Sequence, residues 1–228
     1  MVNAWISLWN RTEHGRSLAL LRIGLGLIVL LDLLDLLRLG LVEPLFAPQE
    51  AGGWTDIASR GAFPYDVLPA DASTAWLLYG GLVLAALGLT LGLFTRTSAL
   101  ALLLLWASWR LCVPEADRAV DQLVRNLVAI LVLSGAGRTL SVDAWLRTRS
   151  FTDPTPIGAW ARYLVIAQIV LMYLAAGIQK VGFTWLPMGD FGALYIILQD
   201  PAIARIPFGW LGSQPWYLLT QLGTAVTF

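Results

Sequence analysis

The stretch "SLALLRIGLGLIVLLDLLDLLRLGLV", residues 17–42, decides the fold class of this chain. It is predominantly apolar over more than the roughly 20 residues that an α-helix needs to cross a hydrocarbon core about 30 Å thick. It is also longer than the apolar region of a secretory signal peptide, and no clear small-residue cleavage site follows it. The stretch therefore predicts a first membrane helix at about residues 17–41.

Apolar runs of similar length recur along the whole chain, which is 57% hydrophobic and only 13% charged. Soluble domains average about 25% charged residues, so this composition favours a polytopic membrane protein. We predict an all-α transmembrane helical bundle of five helices and a sixth, at about residues 17–41, 74–94, 97–113, 119–136, 157–181 and 215–228. The last run is shorter than a full span, so a truncated helix in a fragment of a longer chain stays open as an alternative.

The charges in the loops predict the orientation of the bundle. Arginines lie in segment 1–16 and in alternate loops, at Arg11, Arg16, Arg96, Arg138, Arg147 and Arg149. The other loops are mainly acidic, with Glu43, Glu50, Asp56, Asp66, Asp71, Glu115 and Asp117. The positive-inside rule then predicts a multi-pass protein of the cell membrane with a cytoplasmic N-terminal segment 1–16 and outer loops at 42–73 and 182–208. A short helix is expected within the second outer loop, at "DFGALYIILQ".

The composition also excludes several classes of site. His14 is the only histidine and Cys112 the only cysteine, so a cysteine or histidine metal centre and an internal disulfide are excluded. The net charge is zero and no basic stripe is present, which argues against a nucleic-acid partner. The lipid bilayer is the predicted partner.

Charged residues inside the predicted helices are costly to insert and should face the bundle interior. Asp35 and Arg38 are three residues apart and Asp121 and Arg125 are four apart, spacings that place each pair on one helix face. We predict that each pair neutralises itself and fixes the register of its helix. Small residues at close-packing spacing predict tight helix contacts, at Gly88, Gly92, Ala175, Ala176 and Gly177.

Lys180, at the end of the fifth predicted helix, is the only lysine among 15 Lys and Arg residues. Arginine stays protonated in proteins, whereas a partly desolvated lysine can act as a neutral base. Two interpretations stay open: a lysine that snorkels to the membrane interface, or a functional amine at the outer face. Tyr173 lies seven residues earlier on the same helical face, and Gly177 lets a flat ligand or another backbone approach within one turn of Lys180.

The stretch "YLAAGIQKVGFTW" (173–185) resembles the pattern Y-φ-x-A-G-φ-x-K-φ-x-x-x-W, with φ apolar, of the vitamin K-dependent gamma-carboxylase family and of bacterial proteins with the related HTTM (horizontally transferred transmembrane) domain. Three further stretches are similar to segments of that family in the same order. They are "ALLRIGLGLIVLLDLL" (19–34), "LSVDAWL" (140–146) and "ALYIILQ" (193–199). The resemblance covers about residues 17–228.

The resemblance implies a role for Lys180. In the carboxylase, the lysine of this motif is the base that deprotonates vitamin K hydroquinone, and the oxygenated quinol then abstracts a glutamate γ-proton before CO2 adds. The resemblance therefore implies that Lys180 is a catalytic base in an outward-facing pocket. The cofactor would be a vitamin K-like quinone or quinol held without a metal by Tyr173, Gly177, Gln179 and Trp185, and the substrate a peptide or protein on the outer face.

Two departures from the family limit what the resemblance implies. Arg138 stands where the carboxylase has a histidine, so that histidine's role is not carried over. The carboxylase also has a large lumenal domain after its membrane helices, and these 228 residues contain no counterpart. We therefore do not expect a complete glutamate carboxylase from this chain alone. A quinol-dependent carboxylase-like enzyme and an oxidoreductase both stay open, and the alternative is a non-enzymatic membrane partner in peptide or toxin maturation.

Overall fold

The computed structural model describes residue 7 and residues 9–54, 63, 65, 67–113, 117–199 and 214–227. Asp56, Asp66, Glu115 and parts of both predicted outer loops lie outside these residues. Within the described part, nine α-helices and one pair of two-residue strands are present. The elements are β1 (Thr12–Glu13), α1 (Arg16–Arg38), α2 (Val42–Phe46), α3 (Ala72–Leu91), α4 (Thr95–Cys112), α5 (Ala119–Leu133), α6 (Val142–Thr148), β2 (Ile157–Gly158), α7 (Trp160–Gln179), α8 (Ala193–Gln199) and α9 (Gln214–Thr227).

The all-α prediction is confirmed, and each of the six predicted helices is present with its ends moved by at most three residues. The ends follow local backbone chemistry. Asp71 accepts the Thr74 backbone N–H at 2.8 Å and so begins α3 at Ala72, and Gly92, at φ 69°, ends the same helix. Residues 157–158 pair with Thr12 and Glu13 as an antiparallel bridge, so α7 begins only at Trp160.

Three helices in the described part are long and apolar enough to cross a membrane. They are α1, α3 and residues Trp160–Ile178 of α7. Helix α5 has 15 residues and rises only about 22 Å, less than a hydrocarbon core of about 30 Å. The count of five spans plus a sixth, and the cytoplasmic side of the N-terminus, stay predictions.

The predicted loop over residues 42–73 contains regular structure at its start, where α2 and a 3-10 turn at Gln49–Ala51 lie. Helix α2 accommodates Pro44 because Pro44 lies in its first turn, where a missing N–H costs no helical hydrogen bond. Its apolar side chains Val42, Leu45 and Phe46 are buried. The beginning of this predicted outer loop is therefore packed against the core.

The chain divides into two compact units, Met1–Gln168 and Ile169–Phe228. In the first unit, α1, α3, α4 and α5 enclose an apolar core that includes Leu18, Val29, Leu33, Leu82, Leu89, Leu102, Trp106, Val128 and Leu131. Gly26 of α1 lies so close to Thr90 of α3 that a Cβ there would overlap it, and Gly88 lies equally close to Ser98 of α4. The predicted tight contact at Gly88 is thus confirmed.

In the second unit, α8 packs on α9. The Leu194 backbone N–H donates to the Thr224 hydroxyl at 3.1 Å. The Tyr195 ring meets the Tyr217 ring edge-on, with centroids 5.0 Å apart. The short helix expected within "DFGALYIILQ" is confirmed as α8 (Ala193–Gln199).

Candidate functional site

Lys180 directly follows the last residue of α7, and its ammonium nitrogen lies 5.0 Å from the centroid of the Trp185 ring. The Lys180 backbone N–H donates to the Gly177 carbonyl at 3.0 Å and closes the last turn of the helix. A 3-10 turn, Phe183–Trp185, then returns the chain, with the Trp185 N–H bonded to the Gly182 carbonyl at 2.9 Å. The structure therefore brings together Lys180 and Trp185, with both side chains partly buried, in a cation–π contact.

The other predicted cofactor residues lie before Lys180 on α7. The Tyr173 side chain is 69% exposed, and Tyr173 lies almost two turns from Lys180 along the helix. A Cβ at Gly177 would have none of the described atoms within 4 Å, so the surface next to Gly177 is open. The side chain of Gln179 lies outside the described part of the structure. The structure thus joins Lys180 to Trp185 and leaves Tyr173 apart from them.

A cavity of about 510 Å³ lies in the same unit, two residues along the chain from Trp185. It is lined by Pro187, Asp190, Phe191, Leu218, Gln221, Leu222 and Ala225. Gln221 donates from its amide nitrogen to the Asp190 carbonyl at 2.8 Å and so links α9 to the turn. The volume of this cavity falls within the range of about 300–1,000 Å³ typical of small-molecule sites.

The backbone that forms one wall of this cavity is strained. Asp190 and Phe191 have φ angles of 53° and 51°, in the left-handed region that a bulky side chain such as that of Phe191 disfavours. Such strain clusters at ligand sites. Sequence reasoning missed this cavity because its two walls are about 30 residues apart in the chain, and no local motif connects them.

A polar junction surrounds Arg22, the fourth residue of the stretch "ALLRIGLGLIVLLDLL" (19–34). Arg22 is 0% exposed, and its guanidinium donates to the carbonyl oxygens of Leu89 (2.6 Å), Thr90 (3.0 Å) and Leu140 (2.6 Å). Leu89 and Thr90 are among the last residues of α3, whose carbonyls have no partner within the helix. Arg22 therefore ties α1, α3 and the segment before α6 together, which is a structural role.

The motif "LSVDAWL" forms the other half of this junction. Ser141 accepts the Ala144 backbone N–H at 2.9 Å and begins α6. Asp143 accepts the backbone N–H groups of Phe94 (2.8 Å) and Thr95 (2.7 Å) and also the Thr95 hydroxyl (2.7 Å), and so caps α4. A side chain at Gly92 would overlap Arg22 and Ser141, so the tight contact predicted there is made beyond the end of α3.

The charged pairs predicted within the helices are partly confirmed. Asp35 and Arg38 form a salt bridge at 3.7 Å, but both side chains are 68% exposed. The predicted pairing of Asp121 with Arg125 is wrong, because Asp121 lies in the first turn of α5 and its carboxylate accepts the Arg118 backbone N–H at 2.9 Å. Asp121 therefore binds Arg118, at 3.0 Å, and Arg125 reaches back to Asp117, at 2.6 Å and 2.8 Å.

The resulting charge network extends to two more helices, since Arg110 of α4 binds Asp117 at 3.0 Å and Asp32 of α1 binds Arg118 at 2.8 Å. The hydrogen bonds and charge of Arg125 lower the pKa of Asp117, with help from Arg110 and against the effect of burial. Asp121 and Asp32 raise the pKa of Arg118. These charges neutralise one another, which supports a structural role for the network.

In the part of the chain that the structure covers, no group of three or more His, Cys, Asp or Glu side chains is placed to hold a metal ion. The chemistry-bearing group of the second unit is the Lys180 amine with the adjoining turn. The polar junctions of the first unit, around Arg22, Asp143 and Asp117, hold helices together.

Comparison with known proteins gives the family. No solved structure matches the chain. The family model of the HTTM domain matches residues 10–219, most of the chain, and includes all four motifs and every predicted site residue. The chain therefore belongs to the HTTM domain family.

Proposed function

We propose that this HTTM protein is a multi-pass protein of the cell membrane that binds a quinol at Lys180 and uses the Lys180 amine as a general base. The observation that carries the proposal is the position of that amine over the Trp185 ring, at the end of α7 and within one turn of the open surface at Gly177. A base must lie within hydrogen-bond reach of the proton it takes. A quinol ring bound at the Gly177 surface would bring its hydroxyl within hydrogen-bond reach of the Lys180 amine.

The exposed side of α7 supports an approach from the bilayer. Tyr173, Leu174 and Ile178 are all exposed large side chains on the last turns of the helix. A quinol with an isoprenoid tail is soluble in lipid and would slide along this apolar surface. The cavity at Asp190 and Phe191, of about 510 Å³, has room for a ring or part of a tail.

The chemistry asked of Lys180 is one proton transfer. The quinol O–H bond breaks, the proton binds the lone pair of the neutral amine, and the products are a quinolate and an ammonium. The ammonium remains next to the quinolate and stabilises its charge, while the Trp185 ring faces the ammonium from the other side. The quinolate then passes two electrons to O2, and with its remaining hydroxyl proton and the proton held by Lys180 the products are the quinone and H2O2.

The test uses menadiol, a reduced naphthoquinone, and the full chain in lipid nanodiscs. Lys180→Arg keeps the positive charge over Trp185 but cannot accept a proton. We expect it to bind menadione as the unchanged protein does and to lose O2-dependent menadiol oxidation by about 100-fold, the low end of the contribution of a general base. Adding a glutamate-containing peptide with labelled CO2 to the same assay separates a carboxylase-like enzyme from a quinol oxidoreductase.

The matched control is an arginine-to-lysine substitution near the start of the same helix, α7. Arg162 lies 5.3 Å from the centroid of the Tyr163 ring, so Arg162→Lys changes a comparable cation–π contact. We expect Arg162→Lys to leave menadiol oxidation unchanged. Full oxidation by Lys180→Arg would refute the base. The non-enzymatic maturation partner predicts instead that the unchanged protein does not accelerate menadiol oxidation and that function is sensitive to changes in loop 42–73.

A further inference from the structure

A second cavity, of about 340 Å³, lies within the first unit at the start of α4. It is formed by the first turn of α4, the segment after α5 and α6. Its lining residues are Phe94, Thr95, Arg96, Thr97, Ser134, Gly135, Gly137, Arg138, Asp143 and Arg147. Three arginines and one aspartate therefore face one space, although they come from three separate segments of the chain.

The three guanidinium groups of this cavity exceed in charge the one carboxylate that lines it. Both oxygens of Asp143 are already occupied by the Phe94 and Thr95 backbone N–H groups. Arg147 donates to the Gly137 carbonyl at 3.1 Å and lies 3.9 Å from Asp153, a long ion pair.

The charge of Arg138 acts on a nearby carboxylate, since hydrogen bonds from Thr155 lower the pKa of Asp153 with help from Arg138 and Arg147. Neither the Arg96 nor the Arg138 side chain forms a hydrogen bond or an ion pair with the residues that the structure describes. The cavity thus presents two guanidinium groups with unused donors.

Guanidinium groups bind phosphate oxygens through two parallel N–H donors, which makes arginine clusters typical phosphate sites. The surroundings favour a phosphate that is attached to an apolar chain. Phe94, Trp145 and Leu146 are exposed large hydrophobic side chains at the edge of the cavity or on α6. Basic cavities between membrane helices bind the head groups of anionic lipids.

We propose that this cavity binds the phosphate group of an anionic membrane lipid. Arg96 and Arg138 are its main ligands and Arg147 is the third. The exposed Phe94 and Leu146 side chains lie beside the lipid tails. The site is independent of Lys180, and the predicted orientation places it at the cytoplasmic leaflet, where anionic lipids attract basic residues.

The test measures lipid binding by native mass spectrometry of the full chain, with phosphatidylglycerol and phosphatidylcholine as the two probes. We expect a preference for phosphatidylglycerol. Replacing Arg96→Gln and Arg138→Gln together should weaken phosphatidylglycerol binding by about 100-fold, about tenfold for each charge-assisted contact, and leave phosphatidylcholine binding unchanged.

The matched control is Arg149→Gln, because Arg149 lies over the Trp145 ring at 4.9 Å and is not among the residues that line the cavity. Its effect should be less than about twofold, as for a screened surface charge. An equal loss in Arg149→Gln would mean diffuse attraction to basic residues and would overturn the site.

Two further measurements keep the proposal testable. If the glutamine pair does not fold, Arg96→Lys with Arg138→Lys keeps the charge but loses the planar fork, and an undiminished affinity would contradict the arginine geometry. Inorganic phosphate is the competing ligand. Displacement of phosphatidylglycerol by inorganic phosphate at equal concentration would assign the cavity to a soluble phosphate and reject the lipid.

Discussion

Two charged side chains with little exposure are satisfied in different ways. Arg22 is buried and donates to the carbonyl oxygens of Leu89 and Thr90 at the end of α3. Asp117 instead lies between two guanidinium groups, those of Arg110 and Arg125. The difference matters for experiment, because carbonyls do not titrate whereas a carboxylate does.

Replacing Asp117→Asn should destabilise the fold by about 3 kcal/mol at neutral pH. The Asp117 and Arg125 side chains are only 14% and 7% exposed, so the change leaves the Arg125 charge buried without its carboxylate. Thermal unfolding in detergent measures the loss. The matched control is Asp35→Asn, whose pair is 68% exposed, where we expect less than about 1 kcal/mol.

The same variant has a pH signature. Arg125 lowers the pKa of Asp117 below its unfolded value of 3.8. A group with a lowered folded pKa stabilises the fold above its unfolded pKa and loses that contribution as pH falls through the folded pKa. The gap in stability between the unchanged protein and Asp117→Asn should therefore be constant above about pH 5 and should shrink below pH 3.8. A gap independent of pH would mean that packing, and not charge, is lost.

At the scale of elements, one carboxylate connects two helices that are distant in sequence. Asp143 caps α4 across 48 and 49 residues, whereas Asp71 caps α3 through its own first turn. We expect Asp143→Ala to cost about 2 kcal/mol and Asp71→Ala about 1 kcal/mol, both within the range for helix caps. Hydrogen exchange of the amides at residues 94–98 is the decisive measurement. Exchange there should rise in Asp143→Ala only, and unchanged exchange would contradict the capping role.

Sequence patterns predicted the long helices because an apolar run of about 20 residues has few other stable forms in a membrane. They named Lys180 and Trp185 as residues of one candidate site only through the family motif. They could not find the partners of Arg22, which lie 67, 68 and 118 residues away, nor helix α6, which is too short for a periodic signal. Long-range hydrogen bonds depend on the packed fold. Neither the capping of α4 by Asp143 nor the cavity wall at Phe191 therefore has a local signature in the sequence.

Across the whole molecule, the position of the two proposed sites relative to the membrane depends on the orientation. The arginine cavity uses Arg96, Arg138 and Arg147 from the predicted inner loops. Lys180 and its turn belong to the predicted outer side. The orientation therefore decides which leaflet each proposed site would meet, and it is the first property to measure.

The orientation predicts a labelling pattern for single cysteines. Because Cys112 is the only cysteine, Cys112→Ser provides a background without thiols. In that background, Gln49→Cys and Met188→Cys should react with a membrane-impermeant maleimide in intact cells, and Thr152→Cys should react only after lysis. All three side chains are exposed in the structure, so packing against the rest of the described protein does not block the reaction. Labelling of Thr152→Cys in intact cells would reverse the orientation, and protection of Met188→Cys alone would mean that α7 does not cross the membrane, since this helix is the only long apolar segment described between residues 152 and 188.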